Sequence, residues 1–149
     1  MKPENDPITD DEWILRRVHK VDFPTPSIPG VAPKAFRPRT KGDIDTDGIS
    51  VYRASCVADP VEILAAVPSD KLHEQGIVRL SVTFLNTLGL TVVPAPEPPI
   101  PGHVVIPELN ADAYTTDKKR ILAIMEKLAT EASKDENMVK RPDSPPADL

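Results

Sequence analysis

Cysteine, aromatic rings and long apolar runs are all scarce in this chain, and each scarcity removes a class of protein. Cys56 is the single thiol in 149 residues. No internal disulfide can staple the core, and the expected setting is a reducing cytoplasm. With one Trp, two Tyr and three Phe, the core has to be assembled from Val, Ile, Leu and Ala. No apolar run approaches the roughly 18 residues of a membrane span. The opening MKPENDPITDDE has no apolar stretch of the secretory kind. His19, His73 and His103 stand far apart, with no zinc-like spacing. No nucleophile elbow, dinucleotide-binding glycine pattern or P-loop occurs, so no complete catalytic set is expected.

Proline, by contrast, is abundant: 18 of 149 residues, where about 5% is usual. Residues 23–38 hold Pro24, Pro26, Pro29, Pro33 and Pro38. That density excludes helix and interior strand and predicts an extended surface crossing anchored by Phe36. A second run, PAPEPPIPG at 94–102, reads as a stiff polyproline-like connector. The length favours one domain with a real core.

The clearest local signals lie at 35–67. Ile49, Val51 and Arg53 alternate with Ser50, Tyr52 and Ala54, the pattern of a strand, and Asp47-Gly48 before it is a turn pair. In Asp59-Pro60-Val61-Glu62 the Asp caps, Pro takes the first helical position and Glu closes a capping box. A short helix is expected at 60–67. Thr9-x-x-Glu12 also reads as a capping box, and WILRRV after it fits either a helix or a strand. Strands are expected at 77–82, 90–93 and 104–106, with a short helix at 83–88. After Thr116, Ile121, Leu122, Ile124, Met125 and Leu128 form an apolar stripe opposite Lys119, Glu126, Lys127 and Glu131. The fold class expected is α+β: a small mixed sheet of four to five strands with short helices and a C-terminal helix packed on one face. Residues 1–8 are expected to be loose, 9–133 to form the domain, and 134–149 to be a disordered tail.

Charge is unevenly spread along the chain. The formal net charge is −5, which gives no overall signal for nucleic acid. Yet residues 13–41 hold seven Lys/Arg against one acid, and residues 42–117 hold three against eleven. Arg16, Arg17, Lys20, Lys34, Arg37, Arg39 and Lys41 are candidate anion binders, since the planar Arg fork donates two parallel bonds to phosphate or carboxylate. Asp43-x-Asp45-x-Asp47-Gly48 opens like a calcium loop, but Ala54 stands where a closing Glu is needed. The expectation is therefore no metal, with the acids solvated or paired with Arg37, Arg39 and Lys41.

The run AFRPRTKGDIDTDGISVYRA, followed by GIVRLSVTFLNTLGLTVVPAP and PGHVVI, resembles a group of small uncharacterised bacterial proteins over about two thirds of the chain. The order Arg37, Tyr52, Glu62 is also similar to that of RES-type toxins, relatives of ADP-ribosyltransferases. That resemblance implies NAD as cofactor or substrate: Arg37 would grip the pyrophosphate, Tyr52 would position nicotinamide, and Glu62 would stabilise the cation formed as the glycosidic bond breaks. The candidate ligand-binding residues are thus Arg37, Arg39, Tyr52, Arg53 and Glu62. The reading preferred from the residues is a non-enzymatic interaction module with a protein partner, antitoxin-like in kind and needing no cofactor; the alternative is an NAD-consuming or ADP-ribosyl-transferring enzyme of the RES-like kind.

Overall fold

The computed structural model describes residues 1–23 and 30–143. Within them lies one six-stranded sheet in the order β4-β5-β2-β1-β3-β6. The strands are β1 (Trp13–His19), β2 (Ile49–Arg53), β3 (Gln75–Ser81), β4 (Val93–Pro94), β5 (His103–Ile106) and β6 (Met138–Lys140). The α+β class is as expected. The sheet differs from expectation in two ways: it has six strands, and every pairing is antiparallel, so it is not mixed.

β1 resolves the ambiguity of WILRRV in favour of a strand. Half of the Thr9/Glu12 capping box forms: the Thr9 amide donates to the Glu12 carboxylate at 2.9 Å, while the Glu12 amide donates to the Thr9 carbonyl and not to its side chain. The result is a turn that runs straight into extended chain, because Trp13, Ile14 and Val18 suit a pleated, half-buried surface. β2 starts directly after Gly48, whose φ is +118°. A Cβ there would lie 2.2 Å from the Ile106 carbonyl oxygen of β5, so the turn into β2 requires glycine.

The two faces of the sheet are covered unequally. One face carries Ile14, Val18, Ile49, Val51, Val78, Leu80, Val104 and Ile106 and is covered by helix α3 (Lys118–Ala132), α1 (Val82–Thr87) and the 3-10 turn Pro33–Phe36. Phe36 is fully buried there as the expected anchor. α3 buries Ile121, Ile124, Met125, Leu128, Ala129 and Ala132, a three-four spacing that leaves Leu122 off the stripe and exposed. The other face has a small cluster of Leu15, Val57, Ile63, Leu64, Ile77 and Ile100. Ile63 and Leu64 reach it from Pro60–Leu64, which has the expected Asp59/Glu62 capping box but winds as a 3-10 turn.

Three further expectations are corrected. The α3 start is capped by neither Thr116 nor any other side chain, and a separate helix α2 (Ala111–Thr116), capped by Asn110, precedes it. Residues 90–93 are not a buried strand. Leu90 is buried outside the ladder, and only Val93–Pro94 pairs, as an exposed edge, the place where a residue lacking an N–H is tolerated. The 94–102 connector folds back as the tip of the β4–β5 hairpin, with Glu97 bridging Ile100 and Ile100 buried. Both ends of the described chain make contacts with the body of the fold. Residues 1–8 are held by Arg53, which donates to the Glu4 and Asp6 carbonyls, and by Lys2, whose amide donates to the Ser55 carbonyl. At the other end Met138–Lys140 pairs with β3, and Asn137 is buried between Arg79 and Glu131. Residues 144–149, and Pro24, Pro26 and Pro29 of the proline-rich crossing, lie outside the described residues.

The sheet splits next to β1. On one side β1 pairs with β3 along its whole length, Trp13↔Ser81 to His19↔Gln75. On the other side the ladder with β2 stops after Ile14↔Arg53 and Leu15↔Tyr52. From Arg16 onward the β2 side of the strand is open.

Candidate functional site

A cleft of about 1060 Å3 lies at this opening. β1 contributes Arg16, Arg17 and His19, the residues beyond the last β1–β2 pair. The chain from Lys34 to Lys41 contributes Arg37 and Arg39, and the 3-10 turn after Pro68 contributes Lys71 and Glu74. The lining therefore holds seven Lys/Arg (Arg16, Arg17, Lys34, Arg37, Arg39, Lys41 and Lys71) against two acids, Asp22 and Glu74. Local sequence makes this wall. Pro33 starts a single 3-10 turn, Phe36 and Pro38 point into the protein, and the intervening Arg37, with Arg39 beyond, is left exposed.

Some of these charges are answered within the protein. Arg39 forks onto Asp45, with Nη2 at 3.0 Å and Nε at 3.3 Å, and the Arg39 amide donates to the same carboxylate at 2.7 Å. The bond to Asp45 pushes the Arg39 pKa up. Asp45 is buried, and its carbonyl accepts from the Ala111 amide at the start of α2. The acidic loop is thus a folded turn with one carboxylate committed to Arg39. Lys34 reaches Asp22 at 3.8 Å, and His19, Lys20 and Lys71 gather around Glu74, whose pKa is lowered first by the His19 bond.

Four cations remain. Arg16, Arg17, Arg37 and Lys41 have no carboxylate within 4.0 Å among the described residues. Arg16 is the most constrained. Its Nε and Nη2 donate to the Ala35 carbonyl at 3.2 and 3.0 Å, and its Nη1 donates to the Ser50 carbonyl at 2.7 Å. It takes the place of strand pairing where β1 and β2 part. Burial is the main influence on its pKa, and Asp45 attracts its charge while Arg39 and Arg17 repel it. The net result is a guanidinium pulled down to about 10. Neutral carbonyls satisfy its hydrogen bonds without supplying a countercharge.

The five sequence candidates separate. Arg37 and Arg39 line the cleft, and Tyr52, Arg53 and Glu62 do not. Tyr52 lies half-buried against the smaller cluster, its ring edge-on to His103 with centroids 5.3 Å apart, and burial raises its pKa. Glu62 accepts from the Ala58 and Asp59 amides, at 2.8 and 3.4 Å, as half of the capping box. Arg53 is 0% exposed and makes a two-pronged pair with Glu12, both bonds 2.8 Å. Arg53 is placed in the core: strand alternation puts it on the same inward face as Ile49 and Val51. Burial favours the protonated form of Glu12, but the bonds from Arg53, the Ser55 hydroxyl and the Thr9 amide outweigh it and hold the carboxyl at about 2.

Of the seven candidate anion binders, Lys20 alone is absent from the lining, and Lys71 joins from a distant turn. Nothing near Lys71 in sequence signals that role. Among the described residues no group of three or more His, Cys, Asp or Glu is arranged to hold a metal ion, and no helix is long and apolar enough to cross a membrane. No protein-family model matches the chain, and neither a curated protein nor a solved structure matches it.

Proposed function

We propose that the chain is a non-enzymatic interaction module of a bacterial cytoplasmic system, a partner or antitoxin-like subunit, whose basic cleft receives an acidic segment of another protein. One observation carries the reading: Arg16, Arg17, Arg37 and Lys41 line one cleft and have no carboxylate partner among the described residues. Like charges gathered on one surface repel each other and weaken the fold, and a bound anion relieves the repulsion. A cleft of one sign also concentrates an oppositely charged partner and speeds its docking. The bacterial setting rests on the resemblance of the AFRP…DGISVYR run, and the cytoplasmic one on the lone Cys56.

The test is calorimetric titration of the purified chain with an acidic peptide. Binding is expected to weaken steeply with salt, because exposed charges are screened beyond about 10 Å at 0.1 M. Replacing Arg17, Arg37 and Lys41 together by Ala is expected to lower affinity by tenfold or more. The rival is tested in parallel by incubating the protein with NAD and measuring free nicotinamide. Turnover lost in Glu62→Gln would overturn the interaction-module reading.

A further inference from the structure

Resting on the reading of the cleft as an anion site, we propose that its inner end, built around Arg16, is a seat for a phosphate monoester. A guanidinium has five N–H groups, and Arg16 spends three of them, on Ala35 and Ser50. Two remain. The carbonyl bonds fix the plane of the fork before any ligand arrives, so little side-chain entropy is left to lose on binding. Arg is preferred at such a place because its fork matches the oxygens of a phosphoryl group.

Charge count comes next. A single carboxylate carries one negative charge, whereas a phosphate monoester carries about −1.5 to −2 and three strong acceptor oxygens. The cleft offers four cations without a carboxylate partner among the described residues: Arg16, Arg17, Arg37 and Lys41. Asp45, the acid that attracts Arg16 most, has its carboxylate on Arg39. It does not fill the place of a ligand on Arg16. The lining mixes the seven Lys/Arg with apolar side chains such as Val67 and one ring, Tyr114. The charge and the fork make the phosphoryl group the feature recognised. A phosphorylated side chain of a protein and a small phosphate compound share that chemistry.

The experiment is calorimetry on the full chain with four probes: a peptide carrying one phosphoserine, the same peptide with Ser, the same peptide with Glu, and inorganic phosphate alone. The expected result is that the phosphoserine peptide binds at least tenfold more tightly than either counterpart and is displaced by inorganic phosphate. Arg16→Lys, which keeps the charge and loses the fork, is expected to remove most of that preference. Should Arg16→Lys fail to fold, Arg37→Gln, at an exposed position with no structural bond among the described residues, is expected to weaken phosphopeptide binding several-fold. Tight inorganic phosphate with no gain from the peptide would support the seat and assign it to a small phosphate compound. Equal binding of the phosphoserine and Glu peptides overturns the phosphate seat and leaves the acidic-partner reading standing. No binding of any probe overturns both.

Discussion

The two ends of β1 treat charge in opposite ways. At its start, Glu12 and Arg53 meet in the core with two bonds of 2.8 Å, and Ser55 and the carbonyls of Glu4 and Asp6 take up the remaining polar groups. No buried side-chain N or O lacks a partner among the described residues. Further along, four and five residues beyond Glu12, Arg16 is fixed by neutral carbonyls, and Arg17 is exposed beside other cations. The difference follows from strand pairing. Where β1 and β2 remain joined, their side chains pack and must compensate one another. Where the ladder stops, Arg16 is held by carbonyls in place of a paired strand and Arg17 is exposed. The first arrangement is a structural clamp that ties the N-terminal segment to the sheet, and the second is a binding surface.

Breaking the clamp is expected to have the largest effect. Arg53→Ala leaves Glu12 buried without its partner, and such a loss costs about 3–5 kcal/mol. Urea unfolding followed by circular dichroism would measure it, and Glu12→Gln with Arg53 retained should be milder. Acid comes next. The Glu12 carboxyl is held at about 2, below its ordinary 4.5, so the stability it contributes is fully present above about pH 4.5 and is lost as pH falls towards 2. That contribution is about 3 kcal/mol at neutral pH. Unfolding curves across pH 2–6 should show a loss that is smaller in Glu12→Gln. Glu74, also lowered, acts in the same direction.

Smaller effects are expected away from the clamp. Asp59→Ala removes a cap and should cost about 1 kcal/mol without changing anion binding, because Asp59 and Glu62 lie outside the cleft. The smallest stability effect belongs to the cleft itself. Arg37→Ala should change stability by no more than about 0.5 kcal/mol yet weaken acidic-peptide binding. A large loss of stability there would erase the distinction between the two ends of the strand.

Much of this comparison was legible in the sequence, and its decisive parts were not. Alternation in Ile49–Arg53 and the Asp59-Pro60 cap are local signals, and both formed as read. The same alternation places Arg53 in the core with Ile49 and Val51; its partner Glu12 is 41 positions away and invisible to local reasoning. Of the expected Thr9/Glu12 capping box only the bond from the Thr9 amide to the Glu12 carboxylate forms, and the tertiary demand of Arg53 and the β-forming residues after it decide for a strand. The basic run at 13–41 gave the cleft its charge. Its position depends on where the β1–β2 ladder ends and on Lys71 arriving from another turn, and both are properties of the assembled sheet. Likewise Met138–Lys140 pairs only because β3 offers it an open edge.

The most direct measurement of the central claim is a titration of isotope-labelled protein with an acidic peptide, followed by amide chemical shifts. The account predicts saturable changes at Arg16, Arg17, Arg37 and Lys41, with Arg53, Glu62 and the β4–β5 hairpin unmoved. Changes confined to Tyr52, Glu62 or the hairpin, or none at any peptide concentration, would contradict it.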